Sequence, residues 1–257
     1  MRHVEAKTIG IVAHSAEGGA LCFITACREG AKLMGEHMHP EIVLSAVPMA
    51  LSMPGYLNDD YDIVAEQLAK GVRQVADAGA DFYICPDNTA HIVLEKIAHG
   101  LPIPGLHIAD VVCDSIKRNG WQRVGLLGTK YTMTGPVYER SLGQLGLERL
   151  IPDEPTRENL NAAIFDELCN GVFRESTTKM FVEAIRDLKG HRAECVILGC
   201  TEIPLIINAA NSPLPILDST RLLAEYAVRT AIAGRETNEA GWLPIPDDLP
   251  YARTGIE

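Results

Sequence analysis

Hydrophobic positions along the chain fall into two alternating patterns. Phe82–Cys85, Arg123–Leu127 and Cys195–Leu198 are short, continuous apolar runs that end at Gly, Pro or a small polar residue. Such runs describe parallel strands buried on both faces. Lys7–Ala13 and Glu41–Val47 read as two further strands. Between them lie stretches with helical spacing: Gly19–Met34, Asp60–Ala78, Ala90–His99, Gly135–Leu145 and Pro204–Asn208. In Asp60–Ala78, Ile63, Val64, Leu68, Val72 and Val75 share one face, as a helix packed on a core requires. The alternation predicts a doubly wound α/β fold.

Two pairs of segments repeat. Asp81–Thr89 and Glu194–Glu202 each hold an acid, an apolar strand and a polar elbow entering a helix, at an offset of 113 residues. Gly10–Ser15 and Gly125–Lys130 match at an offset of 115. Two pairs at nearly one offset predict a duplicated architecture, two pseudo-symmetric Rossmann-like lobes with parallel sheets. In such folds the ligand lies beyond the carboxyl ends of the strands, here in an inter-lobe cleft, with Asp87 and Cys200 across one ligand. The stretch Asn238–Glu257, with Pro244, Pro246 and Pro250, reads as an irregular tail.

Composition narrows the function classes. Of 257 residues, 47% are hydrophobic and 22% charged, and 23 Lys+Arg against 34 Asp+Glu give a net charge of −11. No basic cluster offsets that charge, which argues against nucleic acid or an anionic membrane surface as partner. No apolar run approaches the roughly 20 residues of a membrane span. The N-terminus, MRHVEAKTIGIVAHS, reads as a first strand and not as a signal peptide. Seven cysteines without a CxxC pair suggest neither a disulfide framework nor a zinc site, and a reducing cytoplasm is the expected compartment. No His/Cys/Asp set has ligand spacing and no lysine sits on either elbow, so neither a metal nor a pyridoxal cofactor is expected.

Cys200 is the residue that stands out. It follows Leu198-Gly199 and precedes Thr201-Glu202-Ile203-Pro204, a predicted helix start. Helix N–H groups there lower a thiol's pKa and make thiolate available. Cys22, Cys27, Cys113 and Cys195 read instead as small buried hydrophobes.

The segments Cys85-Pro-Asp-Asn-Thr-Ala-His91, Val124-Gly-Leu-Leu-Gly-Thr-Lys-Tyr-Thr-Met133, Leu198-Gly-Cys-Thr-Glu-Ile-Pro-Leu205 and Pro215-Ile-Leu-Asp-Ser-Thr220 carry a resemblance. From about Thr8 to Ala233 the chain resembles the cofactor-independent aspartate/glutamate racemases. The resemblance implies two lobes, residues 1–113 plus 219–257 and residues 114–218, and a homodimer. It also implies a cysteine from each lobe flanking the substrate α-carbon, one thiolate removing the proton and the other thiol returning one.

The chain departs from that pattern. Aligning Asn88-Thr89 with the family's Cys-Asn-Thr elbow puts Asp87 at the first cysteine, and Cys85 lies inside the strand. The family's dicarboxylate anchors are missing: Pro48–Asp60 holds no Arg or Lys, and Cys169 stands where a lysine is expected. Without a cation, a distal carboxylate would lack a partner. Asn88, Thr89 and Thr201 are expected to bind the α-carboxylate with help from backbone N–H groups, or to cap helices. His91 is expected to orient Asp87 or the substrate. His14 and Ser15, with Glu17, occupy the first loop, and Thr129, Thr132 and Thr134 shape the next helix start.

Three functions are compatible with these residues. One is an amino-acid racemase or epimerase with Cys200 and Asp87 as its acid/base pair, although a carboxyl group is a weak acid at neutral pH unless burial raises its pKa. Another is a one-cysteine lyase, decarboxylase or isomerase. The third is a non-catalytic small-molecule binding module, against which the intact Cys200 motif argues.

Overall fold

A computed structural model describes residues 6–234 and 241–245. The strands β1 (Ile9–Ala13), β2 (Ile42–Ala46), β3 (Phe82–Ile84) and β4 (Gly105–Leu106) form one sheet in the order β2-β1-β3-β4, every pair parallel. The helices α1 (Ala16–Met34), α2 (Met53–Leu57), α3 (Tyr61–Asp77) and α4 (His91–Ile97) provide its connections, and α5 (Ile108–Asn119) leads from β4 to the next sheet. All five residues of β1 and all three of β3 are buried, which is why their sequences are continuously apolar. The α3 face expected from the sequence supplies Val64, Leu68, Val72 and Val75 to a core shared with Val12, Tyr83 and Leu94. Glycine allows the close approach of this layer: a Cβ at Gly10 would meet Val75 Cγ2 at 2.7 Å, and one at Gly71 would meet Val12 Cγ1 at 2.7 Å.

The second part of the chain repeats this plan. Its strands are β5 (Arg123–Gly128), β6 (Glu148–Leu150), β7 (Cys195–Gly199) and β8 (Ile216–Asp218), in the order β6-β5-β7-β8 and again all parallel. The helices are α6 (Lys130–Thr134), α7 (Glu139–Gln144), α8 (Glu154–Asp166) and α9 (Glu175–Gly190). Leu127, Leu160, Ile164, Phe181, Ile185 and Leu198 form the core. The last helix, α10 (Ser219–Ala233), returns to the first unit. There Lys7 N–H donates to Ala231 O at 3.0 Å, and Arg229 meets Glu29 of α1. Among the described residues, one compact unit runs through Val111 and resumes at Thr220, and the other is Val112–Ser219.

Three local expectations differ from the structure. Gly135–Leu145 is not one helix: Gly135 ends α6, Pro136 follows, and α7 starts only at Glu139. Pro204–Asn208 yields only a three-residue 3-10 turn, Ile203–Leu205, because side-chain bonds around Asn208 and Asn211 close a turn directly after it. The expected irregular tail lies outside the described residues at 238–240 and 246–257. Inside it, Trp242 bridges Gly105 in parallel, with Gly105 N–H donating to Gly241 O at 2.8 Å and Leu243 N–H to Gly105 O at 2.7 Å. This segment satisfies the outer edge of β4. Among the described residues no helix is long and apolar enough to cross a membrane.

Candidate active site

The first elbow lies beyond the carboxyl ends of β1 and β3. These strands pair Ile9 with Phe82 and Ile11 with Ile84, a register of 73 residues. Continued past the strand ends, the same register sets His14 beside Asp87. The contact is present: His14 Nδ1 lies 3.3 Å from Asp87 Oδ2. The two groups are at ion-pair distance, and neither ring nitrogen of His14 has a hydrogen-bond partner. The His14 side chain is 1% exposed and that of Asp87 25%.

Asp87 Oδ1 also accepts the Ala90 N–H at 3.3 Å, so the residue helps shape the turn into α4. Burial pushes its carboxyl up, but His14, the Ala90 N–H and His91 together outweigh that and hold it below the usual carboxylate range. An ionised Asp87 can accept a proton only weakly and has none to return at neutral pH, contrary to the sequence expectation of an acid/base.

His91 is spent on the backbone. Its Nδ1 lies 2.8 Å from the Asp87 carbonyl and its Nε2 accepts the Ile108 N–H at 3.3 Å, which assigns the Nδ1–H tautomer. The ring is wholly buried against His107 and Trp242. Burial, with His107 nearby, pushes its pKa down to about 3, so it stays neutral. It pins the elbow to the start of α5, and no polar atom is left for a substrate. Ser15 caps α1 by accepting the Gly18 N–H at 3.1 Å. Asn88 is buried and Thr89 half-buried. Cys85 is fully buried, and burial and then the Asp87 charge push its thiol up, so it cannot replace the missing cysteine.

The second elbow follows β7. Gly128 and Gly199 face one another, and a Cβ on either would meet the other strand's backbone oxygen at 2.9 Å, so the strands close tightly just below it. Cys200 Sγ donates to Glu202 Oε2 at 2.9 Å, and Thr201 Oγ1 donates to the same oxygen at 2.6 Å. Thr201 and Glu202 are buried and Cys200 is half-buried. Burial, then the negative Glu202, push the thiol well above its ordinary pKa. The expectation of a helix-activated thiolate is thus corrected: a three-residue turn offers little dipole, and a carboxylate is the nearest charge. Cys200 rests as a thiol beside an acceptor for its proton. Glu202 was absent from the residues singled out in the sequence, although it stands two positions from Cys200.

Thr129 caps α6, accepting the Thr132 N–H at 3.3 Å. Among the described residues no group of three or more His, Cys, Asp or Glu side chains is placed to hold a metal ion.

The chain has relatives with this architecture. It is 30% identical to a Yersinia pestis protein solved as a candidate Asp/Glu racemase, with a TM-score of 0.80 over 88% of this chain and 99% of the other. An aspartate racemase homologue from Pyrococcus horikoshii OT3 is 26% identical, with a TM-score of 0.74 over the same shares. The broad specificity amino-acid racemase RacX of Bacillus subtilis (strain 168) is 28% identical over 176 residues, 68% of this chain and 75% of its own. Residues 18–227 match the Asp/Glu/hydantoin racemase family, and with two parallel sheets of one strand order and the Gly-Cys-Thr-Glu-Ile-Pro elbow in place, the chain belongs to that family.

Proposed function

We propose that this protein is a cofactor-independent amino-acid racemase, an isomerase that moves the α-proton between the two faces of one carbon. The observation that carries the reading is the Cys200–Glu202 contact at 2.9 Å. A thiol at its resting pKa is a poor base. Transfer of its proton to Glu202 generates thiolate only as substrate arrives, and the reverse transfer restores the acid. Thr201, bonded to the same oxygen, holds Glu202 in line. The first elbow serves the other face, and the side chains of Asn88 and Thr89 bind the α-carboxylate.

The side-chain subsite differs from an aspartate pocket. Pro48–Asp60 contributes no Arg or Lys, and Cys169 replaces the expected lysine. Asp87 adds a negative charge to its own elbow. Neutral or cationic side chains therefore bind better than a distal carboxylate, in keeping with the broad specificity named for the Bacillus relative. All seven cysteines are free, which suits a reducing cytoplasm, and the working form is a homodimer by the family resemblance.

Incubation with L-amino acids in D₂O, followed by NMR and chiral chromatography, tests the proposal. Deuterium should enter the α-position together with formation of the D enantiomer. Loss of the α-carboxylate would instead reveal a one-cysteine decarboxylase, and unchanged ligand that only binds would reveal a binding module.

A further inference from the structure

We propose that His14 is the acid/base of the first elbow and that Asp87 is its positioning residue. The inference rests on the racemase reading and identifies the group that stands in for the missing cysteine.

The geometry begins with strand register. Parallel pairing of β1 with β3 places positions 14 and 87 side by side at the carboxyl edge of the sheet, where α/β folds collect ligands. His14 Nδ1 faces Asp87 Oδ2 at 3.3 Å, and Nε2 is buried without a hydrogen-bond partner. With Nδ1 facing Asp87, the buried and unbonded Nε2 costs stability, and such a nitrogen at a strand-end elbow is explained by a catalytic role. Asp87, a quarter exposed, carries the pair to the surface.

The other titratable groups of the elbow do not fit the task. A racemase base must both take and give a proton near neutral pH. Asp87 is held ionised by His14 and the Ala90 N–H. Burial keeps the Cys85 thiol and the Tyr56 phenol protonated, and the Asp87 charge adds to both. His91 is neutral with both nitrogens bonded. Imidazole is the side chain suited to bidirectional transfer at this pH, and a carboxylate on Nδ1 orients it and stabilises the imidazolium.

The step balances without a co-reactant. Neutral His14 Nε2 takes the α-proton, and the C–H electron pair passes into the substrate carboxylate as an enediolate. Cys200 then delivers its thiol proton to the α-carbon, leaving imidazolium and thiolate. In the other direction the thiolate removes the proton and the imidazolium returns one.

The test compares wild type, His14→Gln, Asp87→Asn and Cys200→Ala on each chiral proteinogenic amino acid, as separate L and D forms, in D₂O. Deuteration is read by NMR and inversion by chiral chromatography. His14→Gln should lose inversion by at least 100-fold yet still deuterate one enantiomer with retention, because Cys200 works alone. That one-sided exchange also certifies a folded protein. Cys200→Ala should show retention exchange of the opposite enantiomer. Asp87→Asn should slow inversion about 10-fold without making exchange one-sided. Inversion within a few-fold of wild type in His14→Gln overturns the assignment, as does one-sided exchange in Asp87→Asn. Loss of all exchange in a His14→Gln protein of unchanged Tm also overturns it. A wild type that exchanges no α-proton overturns the racemase reading itself, and the assignment with it.

Discussion

The pair that ties the returning helix to the first unit gives a stability prediction whose size follows from the structure. Glu29 on α1 and Arg229 on α10 lie 200 residues apart in sequence. They are 4% and 6% exposed. Arg229 Nη2 reaches Glu29 Oε1 at 2.7 Å and Nε reaches it at 3.3 Å, while Lys32 Nζ lies 3.1 Å from Oε2. Replacing Arg229 by Met leaves Lys32, whose side chain is 70% exposed, as the charged partner of Glu29. Breaking a buried pair from one side costs about 3–5 kcal/mol. A solvent-screened lysine returns about 1 kcal/mol of that. The expected loss is therefore about 2–4 kcal/mol. For a chain of this size each kcal/mol moves Tm by roughly 2–4 °C, which predicts a fall of roughly 4–16 °C. The double variant Glu29→Leu/Arg229→Met leaves no buried charge and should recover most of the loss. The dependence on pH has a defined sign. Burial pushes the Glu29 carboxyl up, but Arg229 and Lys32 outweigh it and hold it below its ordinary value. Its contribution is therefore complete above the unfolded value of about 4.3 and is lost as pH falls through the lower folded value. Urea denaturation of wild type, Arg229→Met, Glu29→Leu and the double variant at neutral and acid pH measures each part. An Arg229→Met protein within about 0.5 kcal/mol of wild type, or a double variant as unstable as the two single losses combined, would refute the reasoning.

Three further outcomes are expected. Cys200→Ser should lower turnover by about 1000-fold or more, because a serine hydroxyl does not ionise near neutral pH, whereas Cys85→Ser should keep turnover within about 10-fold; similar losses in both would contradict the assignment of the elbow. Glu202→Gln removes the negative charge beside the thiol, so Cys200 should alkylate faster with iodoacetamide at neutral pH, read by mass spectrometry, while turnover falls; slower alkylation would show that Glu202 does not oppose thiolate formation. His91 takes up a proton on unfolding between pH 6.5 and about 3, so wild-type stability should fall as pH drops through that window. His91→Gln should lack that slope, and urea midpoints that fall equally in both proteins would count against the buried neutral ring.

The architecture was legible in the apolar pattern alone, because buried parallel strands must be apolar throughout and the helices over them must be apolar on one face. The two elbows were legible for the same reason: each is a polar stretch that ends an apolar strand, and their spacing of 113 residues exposed the repeat. Very short strands were not legible. Gly105–Leu106 is two residues long, and what holds it is pairing with Tyr83, Ile84 and the segment around Trp242. The helix predicted after Cys200 failed because the Asn208–Asn211 turn limits it to one 3-10 turn. With the helix went the expected low thiol pKa. Glu202 was in plain view, but sequence spacing cannot say that its carboxylate folds back onto the sulfur. The environment of Asp87 was decided only by tertiary structure. A residue 73 positions away becomes its neighbour through strand register, and His91, four positions away, turns its ring to the backbone. Periodicity records which faces are buried. Which polar groups meet at a strand end is set by register and turn geometry, and those depend on the whole sheet.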